Sequence, residues 1–474
     1  MIFLVAAVIA AGCQPFRPDT RDLTRRVPEQ FSLYDTSSPA TDRWWTTFDD
    51  TELNGILEAA LAHNLTLEAA WARLRQASSL AVQSGADRYP DLTGGADYLR
   101  GRQRAGDGLE RDLDSATVSL LSTYEIDLWG RVASRYRSAH LTAAATRQDL
   151  YTAAITISAE VVERWIGIIS QRMQKKLLQE QLRINRTLLD LVKLRFRNGL
   201  ASALDVYQQK QLVDEVMAGM PLVEQQEQLL LHQLAVLLGR PPLAEVAVSR
   251  DSLPAPAPLP AVGLPADLLS ARPDIQAAGM RLAAADWQIA QARANRLPAL
   301  RLTARGGYGE GELNALFDNW LVSLAANLTA PLLDGGRLRS EVDRTRAVSD
   351  ERLAAYYDTV LNAVKEVEDA LVREAKQREH LQGVRQVTDT ARKALEEAGV
   401  RYRNGLTDYL PVLTQLLSVQ SLERDLIRKQ AELLTIRVGL HRALGGNWPA
   451  TLEMPDPKSG NGTSIGMNQH ERDD

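Results

Sequence analysis

The chain is written twice. Arg73-Leu74 returns as Arg281-Leu282, Gln83 as Gln291, Ala86 as Ala294 and Arg88-Tyr89-Pro90 as Arg296-Leu297-Pro298, each 208 positions on. Gly130-Arg131 returns as Gly336-Arg337, and Leu238-Gly239 as Leu444-Gly445, each 206 positions on. At the same spacing Arg195-Phe196-Arg197-Asn198-Gly199-Leu200 returns as Arg401-Tyr402-Arg403-Asn404-Gly405-Leu406. An ordered series at a nearly constant offset is an internal repeat. The drop of two places an indel between Pro90 and Arg131, as a loop tolerates. The copies span 53–239 and 267–446, joined by residues 240–266, whose Leu253 to Pro265 part is Pro-rich, stiff and unable to be helical. Each copy reads as helix, hairpin, very long helix, tight turn and helix. The hairpins are expected over 92–128 and 299–330, the long helices over 132–196 and 338–402, and the closing helices over 201–238 and 408–444.

Period two governs the hairpins. Val118, Leu120, Tyr124, Ile126 and Leu128 share one parity, and Thr117, Ser119, Thr123, Glu125 and Asp127 the other. In the second copy Leu300, Leu302, Ala304 and Tyr308 alternate with Arg301, Thr303 and Arg305. Trp320, Val322, Leu324 and Leu328 alternate with Ser323, Asn327 and Thr329. Each strand therefore has one apolar and one polar face. Its length suits a tilted membrane-crossing strand of about 9–11 residues. Taken alone, the alternation fits equally a half-buried sheet packed on helices.

The helices tip that balance. No proline lies between Pro90 and Pro221 or between Pro331 and Pro411. Each long segment can thus be one helix of about 65 residues, roughly 100 Å long. Val162, Ile166, Ile169, Met173 and Leu177 make a coiled-coil-like seam. A rod of that length cannot fold over a compact core and must pack along equally long partners. Each rod ends in Arg-Asn-Gly-Leu: Gly199 and Gly405 supply the left-handed residue that closes a helix. Ser202 with Asp205 resembles a capping box opening the next helix, whereas Thr407-Asp408 forms a weaker one.

The N-terminus carries an address. Ile2 to Gly12 is an apolar run too short to span a bilayer, ending at Ala10-Ala11-Gly12-Cys13. This reads as a signal peptide over residues 1–12 with a lipobox, exposing Cys13 as an acylated N-terminus and leaving 13–52 as a lipid-anchored segment. Met1-Ile2-Phe3 lacks the usual basic n-region, consistent with a start upstream of Met1. Cys13 is the chain's only cysteine, so no disulfide framework is available. Gln14, in place of an acidic residue, favours the outer membrane over the inner one. At the other end, 447–474 reads as a polar tail. A net charge of −5 gives no reason to expect nucleic acid as a partner.

Open sheet edges are not tolerated in lipid, where each unpaired backbone group costs several kcal/mol. Four strands are also fewer than the eight or so of the smallest membrane barrels. If the hairpins cross a membrane, several chains must share one barrel. Trp44-Trp45 with Phe48-Asp49-Asp50 and Leu53, Asn64-Leu65-Thr66-Leu67 and Ala271-Arg272-Pro273-Asp274-Ile275 now join the two Arg-Asn-Gly-Leu turns and Ala443-Leu444-Gly445-Gly446-Asn447-Trp448. Together, over residues 10 to about 452, they resemble the TolC-like outer-membrane efflux family, in its NodT-like lipoprotein branch. The resemblance implies a mixed α/β membrane protein: a homotrimer with a twelve-stranded transmembrane β-barrel, four strands per chain, continued by a long periplasmic α-helical barrel. It implies the exit duct of a tripartite pump, passing small molecules such as drugs. It also implies docking of the turn tips, Arg197, Asn198, Gly199 and Leu200 with Arg403, Asn404, Gly405 and Leu406, on a periplasmic membrane-fusion adaptor. That adaptor would serve an inner-membrane resistance-nodulation-division transporter. The family's periplasmic gate falls on Asp205 and Tyr402, with Asp408 the only nearby acid beyond the second turn. Pro411 and Thr414 stand where relatives carry carboxylates, so cation selectivity does not carry over.

Catalysis finds no foothold, and no cofactor is called for. His63, His140, His232, His380, His441 and His470 lack metal-ligand spacing, and the glycines at 306–311 sit at a hairpin end as turn chemistry. Two other readings stay open: an exit duct for secreted polypeptides, and a tethered periplasmic coiled-coil adaptor with a soluble sheet. Tyr98, Tyr124, Trp129, Tyr308 and Trp320, placed near strand ends like an interfacial belt, speak against the second. The anchor reading is tested by Cys13→Ser behind another cleavable signal. Lipid chains add about 0.8 kcal/mol per buried CH₂, but a closed barrel is held by its whole apolar band. The variant should therefore still reach the outer membrane as an oligomer. Its recovery as a soluble periplasmic monomer would show that the hairpins do not span.

Overall fold

The computed structural model describes residues 15–18, 28, 30–33, 43–104, 106, 110–256, 259–260, 262–310 and 316–453. Cys13, the expected leader and the tail beyond residue 453 lie outside these. The helices are α1 (Thr51–His63), α2 (Leu65–Ala86), α3 (Arg131–Arg197), α4 (Ala203–Leu237), α5 (Pro273–Ala294), α6 (Arg337–Arg403) and α7 (Leu410–Leu444). The strands are β1 (Asp91–Arg104), β2 (Glu110–Ile126), β3 (Ala299–Glu310) and β4 (Trp320–Thr329). The chain divides into two compact units. One holds Ala72–Asp149 and Asp274–Leu361 with the N-terminal stretch to Val27, and the other holds Pro28–Trp71, Leu150–Pro273 and Asn362–Asp474. The two copies of the repeat are therefore not the compact units: each unit is built from parts of both.

In the first unit the four strands form one antiparallel sheet in the order β1-β2-β3-β4. The hairpins share one register under the repeat offsets, since Asp91 faces Thr123 and its counterpart Ala299 faces Thr329. Leaving the sheet, the chain enters α3 and α6, each 67 residues long. A carboxylate opens both helices, accepting free N–H groups of the first turn. Asp127 accepts from the N–H of Val132 (3.1 Å) and of Ala133 (2.8 Å). Asp334 accepts from Leu338 (2.9 Å) and Gly336 (3.0 Å), and the Leu338 N–H holds its carboxyl below the ordinary aspartate value.

The second unit shows what the paired sequence motifs build. Gly239 ends the turn after α4 at φ +68°, and a Cβ there would lie 2.2 Å from the carbonyl oxygen of His63. Its counterpart Gly445 has φ +79°, and a Cβ there would lie 2.5 Å from the carbonyl oxygen of Ala271. No side chain fits either place. The next residue in each motif closes the joint: Asn64 Nδ2 donates to the carbonyl of Leu237 (2.9 Å) and Arg272 Nη1 to that of Ala443 (2.9 Å). Both cap the orphan carbonyls of a helix C-terminus. Asn64-Leu65-Thr66-Leu67 and Ala271-Arg272-Pro273-Asp274-Ile275 thus supply the same joint twice.

The segments expected to be a lipid-anchored arm (13–52) and a polar tail (447–474) each contribute residues to the core. Trp44–Phe48 is a 3-10 turn with Trp44, Trp45 and Phe48 buried. Trp448–Thr451, at the start of the expected polar tail, is another, with Trp448 and Pro449 buried. Trp45 meets Trp448 edge-on at 4.7 Å, and Phe48 meets Trp165 at 6.1 Å. Such aromatic burial outweighs the low polarity contrast that periodicity reads.

Trp44 stacks on His441 at 5.0 Å with the rings 12° from parallel. Burial, helped by Arg437, lowers the His441 pKa to about 4 from an ordinary 6.5. The folded state therefore keeps this imidazole neutral while the unfolded chain takes up a proton. Stability is lost as pH falls from about 6.5 to about 4, by about 3 kcal/mol from this group. His441→Phe keeps the ring stack and should shrink the difference in unfolding temperature between pH 7.5 and pH 4.5. An unchanged difference would remove His441 from the acid response.

Candidate functional site

Two surfaces answer to the sequence expectations, one in each unit. The first is the sheet. Its register aligns Ala96, Val118, Tyr308 and Trp320 in one row, and Gly94, Leu120, Gly306 and Val322 in the next. Tyr124, Leu302 and Ala326 follow, and then Ile126, Leu300 and Leu328. Besides the tyrosines, Ser122 is the one hydroxyl side chain on this face in the rows between Leu92 and Leu328. The opposite face carries Thr93, Asp97, Ser115, Thr117, Ser119, Thr123, Glu125, Arg301, Thr303, Arg305, Ser323, Asn327 and Thr329. A one-residue slip anywhere would mix the two sets, so the pairing itself enforces the segregation. Val118, Leu120, Trp320, Val322, Leu324 and Leu328 are all exposed in the single chain. That is a contiguous apolar face of the kind that marks a membrane or partner surface.

The first hairpin outruns this face. Beyond Tyr98 the same side of β1 carries Arg100 and Arg102, in ion pairs with Asp114 (3.8 Å) and Glu110 (3.8 Å). From Leu92 to Tyr98 the apolar stretch of β1 runs six residue steps, about 20 Å along the strand, of the same order as the roughly 25 Å apolar band of outer-membrane barrels. Among the described residues no helix is long and apolar enough to cross a membrane.

The second surface is the pair of helix reversals. Leu200 N–H donates to the Arg195 carbonyl (2.8 Å) and Gly199 N–H to that of Phe196 (3.0 Å). Leu406 donates to Arg401 (2.9 Å) and Gly405 to Tyr402 (3.1 Å) in the same pattern. Gly199 and Gly405 both have φ +70°, and a Cβ at either would meet nothing within 4 Å. These glycines are required by conformation alone, and the tips present Arg197, Asn198, Leu200, Arg403, Asn404 and Leu406 to solvent. The turns diverge after the glycine. Ser202 and Asp205 close a complete capping box (2.9 and 3.1 Å), but α7 opens at Tyr409 with no side-chain cap. Pro411 lies in its first turn, where the missing N–H costs nothing.

The three expected gate residues are placed unequally. Asp205 serves its own helix as a cap, and Asp408 is exposed. Tyr402 is only 6% exposed. Its ring lies under the Arg195 guanidinium at 4.4 Å and beside Tyr409 at 5.3 Å, and its hydroxyl has no hydrogen-bond partner among the described residues. Burial raises its pKa, and Arg195 opposes the shift.

Sequence reasoning missed Tyr409 and the polar seam it starts. The Tyr409 hydroxyl donates to Gln209 Oε1, and Gln209 Nε2 donates to the Asn185 carbonyl (2.8 Å). Asn185 and Gln420 exchange two bonds (3.2 and 2.8 Å), and Gln181 and Gln174 continue the ladder to the carbonyls of Gln420 (3.2 Å) and Arg424 (2.7 Å). Gln174, Gln181, Asn185, Gln209 and Gln420 are all buried. The signal was an amide recurring at seam positions of otherwise apolar helices.

Comparison with known proteins agrees with this geometry. The family described as outer membrane efflux protein matches residues 56–240 and again 264–446, once per copy of the repeat. The pyoverdine export outer membrane protein OpmQ of Pseudomonas aeruginosa is 34% identical over 458 residues, covering 94% of this chain and 96% of that protein. The toluene efflux pump outer membrane protein TtgF of Pseudomonas putida is 30% identical, covering 87% of each. The solved outer-membrane channel OprN superposes with a TM-score of 0.82 at 28% identity, over 92% of this chain and 98% of that one. The matched proteins are outer-membrane efflux channels, transporters and not enzymes. The chain belongs to the outer membrane efflux protein family, and it is an outer-membrane channel component of an efflux system.

The tip geometry separates its two tyrosines. Tyr409→Phe leaves the buried Gln209 carbonyl unpaired and should cost about 1–3 kcal/mol. Tyr402→Phe removes a hydroxyl that bonds nothing and should be close to neutral. Thermal unfolding of the two purified variants in detergent reads the difference, and equal losses would refute this reading of the seam.

Proposed function

We propose that three copies of the chain close one twelve-stranded barrel in the outer membrane, with the long helices forming its periplasmic duct. The observation that carries this is the sheet: one face predominantly apolar over its membrane-width rows, the other predominantly polar, and both edges, β1 and β4, without a strand partner among the described residues. In lipid those edges must be paired, and another copy of the same sheet pairs them with closure. The polar face then lines the lumen. Cys13 anchors the chain to outer-membrane lipid as a supplementary tether.

The tips around Gly199 and Gly405 dock on a periplasmic membrane-fusion adaptor serving an inner-membrane resistance-nodulation-division transporter. Their two identical reversals, exposed and displaying Arg197 and Arg403, support this. Asp205, Asp408 and the Arg195–Tyr402 stack set the resting constriction at that level. The cargo is a small organic molecule, as the names of the relatives for pyoverdine export and toluene efflux suggest. Hydroxyls and amides on the lumen face offer such a molecule hydrogen bonds without a single-sign charge barrier.

The reading is tested by the mass of the purified protein in detergent and by planar-bilayer recording. A trimeric mass with discrete ion conductance is expected. A monodisperse monomer retaining its β-structure by circular dichroism, or a trimer without conductance, would overturn it.

A further inference from the structure

We infer that the joint between neighbouring protomers at the foot of the barrel is a leucine contact, Leu332 of one copy against Leu92 of the next. This rests on the trimeric reading above and goes beyond it in naming the residues and the chemistry of the seam.

The chain contains a template for that seam. Where the first hairpin leaves the sheet, it lies against the lead-in to the second. Ile126 faces Leu300 across β2 and β3. Three polar fasteners hold the place. Trp129 Nε1 donates to the Pro298 carbonyl (2.8 Å), Arg131 makes two bonds to Glu125 (2.7 and 2.8 Å), and Arg301 Nε reaches the same carboxylate (3.3 Å). The repeat maps this joint onto residues with no equivalent contact inside one chain. Ile126 advanced by 206 is Leu332, and Leu300 set back by 208 is Leu92. The same offsets carry the pairing of the first hairpin onto the second, so they hold for the strands and not only for the motifs.

The exposures agree. Leu332 is 95% exposed, Leu333 96% and Leu92 68%, on the β4 and β1 sides of the sheet that lack a strand partner. A leucine pair so fully bared beside an open edge is covered in the assembled protein. A second copy is the occupant that the repeat specifies: it brings the lead-in 88–92 to the exit 331–334 as 296–300 is brought to 125–128 within the chain.

The chemistry differs between the two kinds of joint. Each polar fastener is lost under the mapping: Trp129 becomes Gly335, Glu125 becomes Pro331 and Arg301 becomes Thr93. The capping duty of Asp127 passes to Asp334, one position further along, which frees its formal counterpart Leu333. Joints within a protomer are thus fastened by hydrogen bonds and an ion cluster. Joints between protomers close by apolar burial, which forms without charged groups having to find their partners in the membrane.

The test uses Leu332→Cys with Leu92→Cys in a Cys13→Ser chain behind a cleavable signal, so that no other cysteine is present. Oxidation in isolated outer membranes should give a covalent trimer on denaturing, non-reducing gels. Each single variant should give none, and co-assembly of tagged Leu332→Cys and Leu92→Cys subunits should give a covalent heterodimer. That mixed assembly also serves if the double variant folds poorly. Leu333→Cys with Leu92→Cys, one position out of the register the repeat specifies, should link with at least about fivefold lower yield. A trimeric mass without the Leu332–Leu92 link, or with equal linking through Leu333, overturns the leucine joint alone. A monomeric mass overturns the barrel reading and the joint with it.

Discussion

Backbone hydrogen bonding at a sheet edge sets the terms for the rest of this protein. Four strands with one apolar face can enter lipid only if the outer N–H and C=O groups of β1 and β4 find partners, because hydrocarbon supplies none. Among the described residues none provides them, since the sheet is a simple meander ending in β1 and β4. Its exposed apolar rows would be a liability in a solitary soluble protein. In a closed barrel the same rows would be the lipid-facing wall.

Duplication is the second constraint, and it acts at the level of joints more than of elements. Gly239 and Gly445 allow a helix end to approach a carbonyl at distances no Cβ permits, and Asn64 and Arg272 each cap the helix that arrives. An amide and a guanidinium do the same work because both offer a donor to a C-terminal carbonyl. The copies also diverge at particular places. One reversal has a capping box and the other a buried tyrosine, and the first hairpin carries a charged extension.

Inside the second unit, the buried amides of the long helices are paired. The amide ladder from Gln209 to Gln174 pairs side chains with backbone carbonyls and with one another, which fixes the lengthwise setting of long helices that apolar packing alone leaves free to slide. Glu374 and Arg437, both almost wholly buried and joined at 2.5 Å, make a similar lock between α6 and α7. Such a pair adds little net stability, but breaking it strands a charge.

Much of the fold was legible in the residues themselves. Period-two alternation determined the strands and their faces, the absence of proline determined two unbroken helices, and Arg-Asn-Gly-Leu determined where they reverse. Each is a local property, read from neighbours along the chain, and the repeat checked every one of them twice. What only the tertiary structure decided are matters of distant pairing. The sequence marked Tyr402 by its motif, yet its ring is buried under Arg195 against Tyr409. Trp44 and Trp448 stood in segments expected to be an anchor arm and a polar tail, and they became core. The partners of the buried amides and of Glu374 and Arg437 cannot be read from spacing, because a polar side chain at a helix seam looks like a surface residue until its partner is brought to it from tens or hundreds of positions away. Periodicity says which face a residue is on; only packing says what lies across from it.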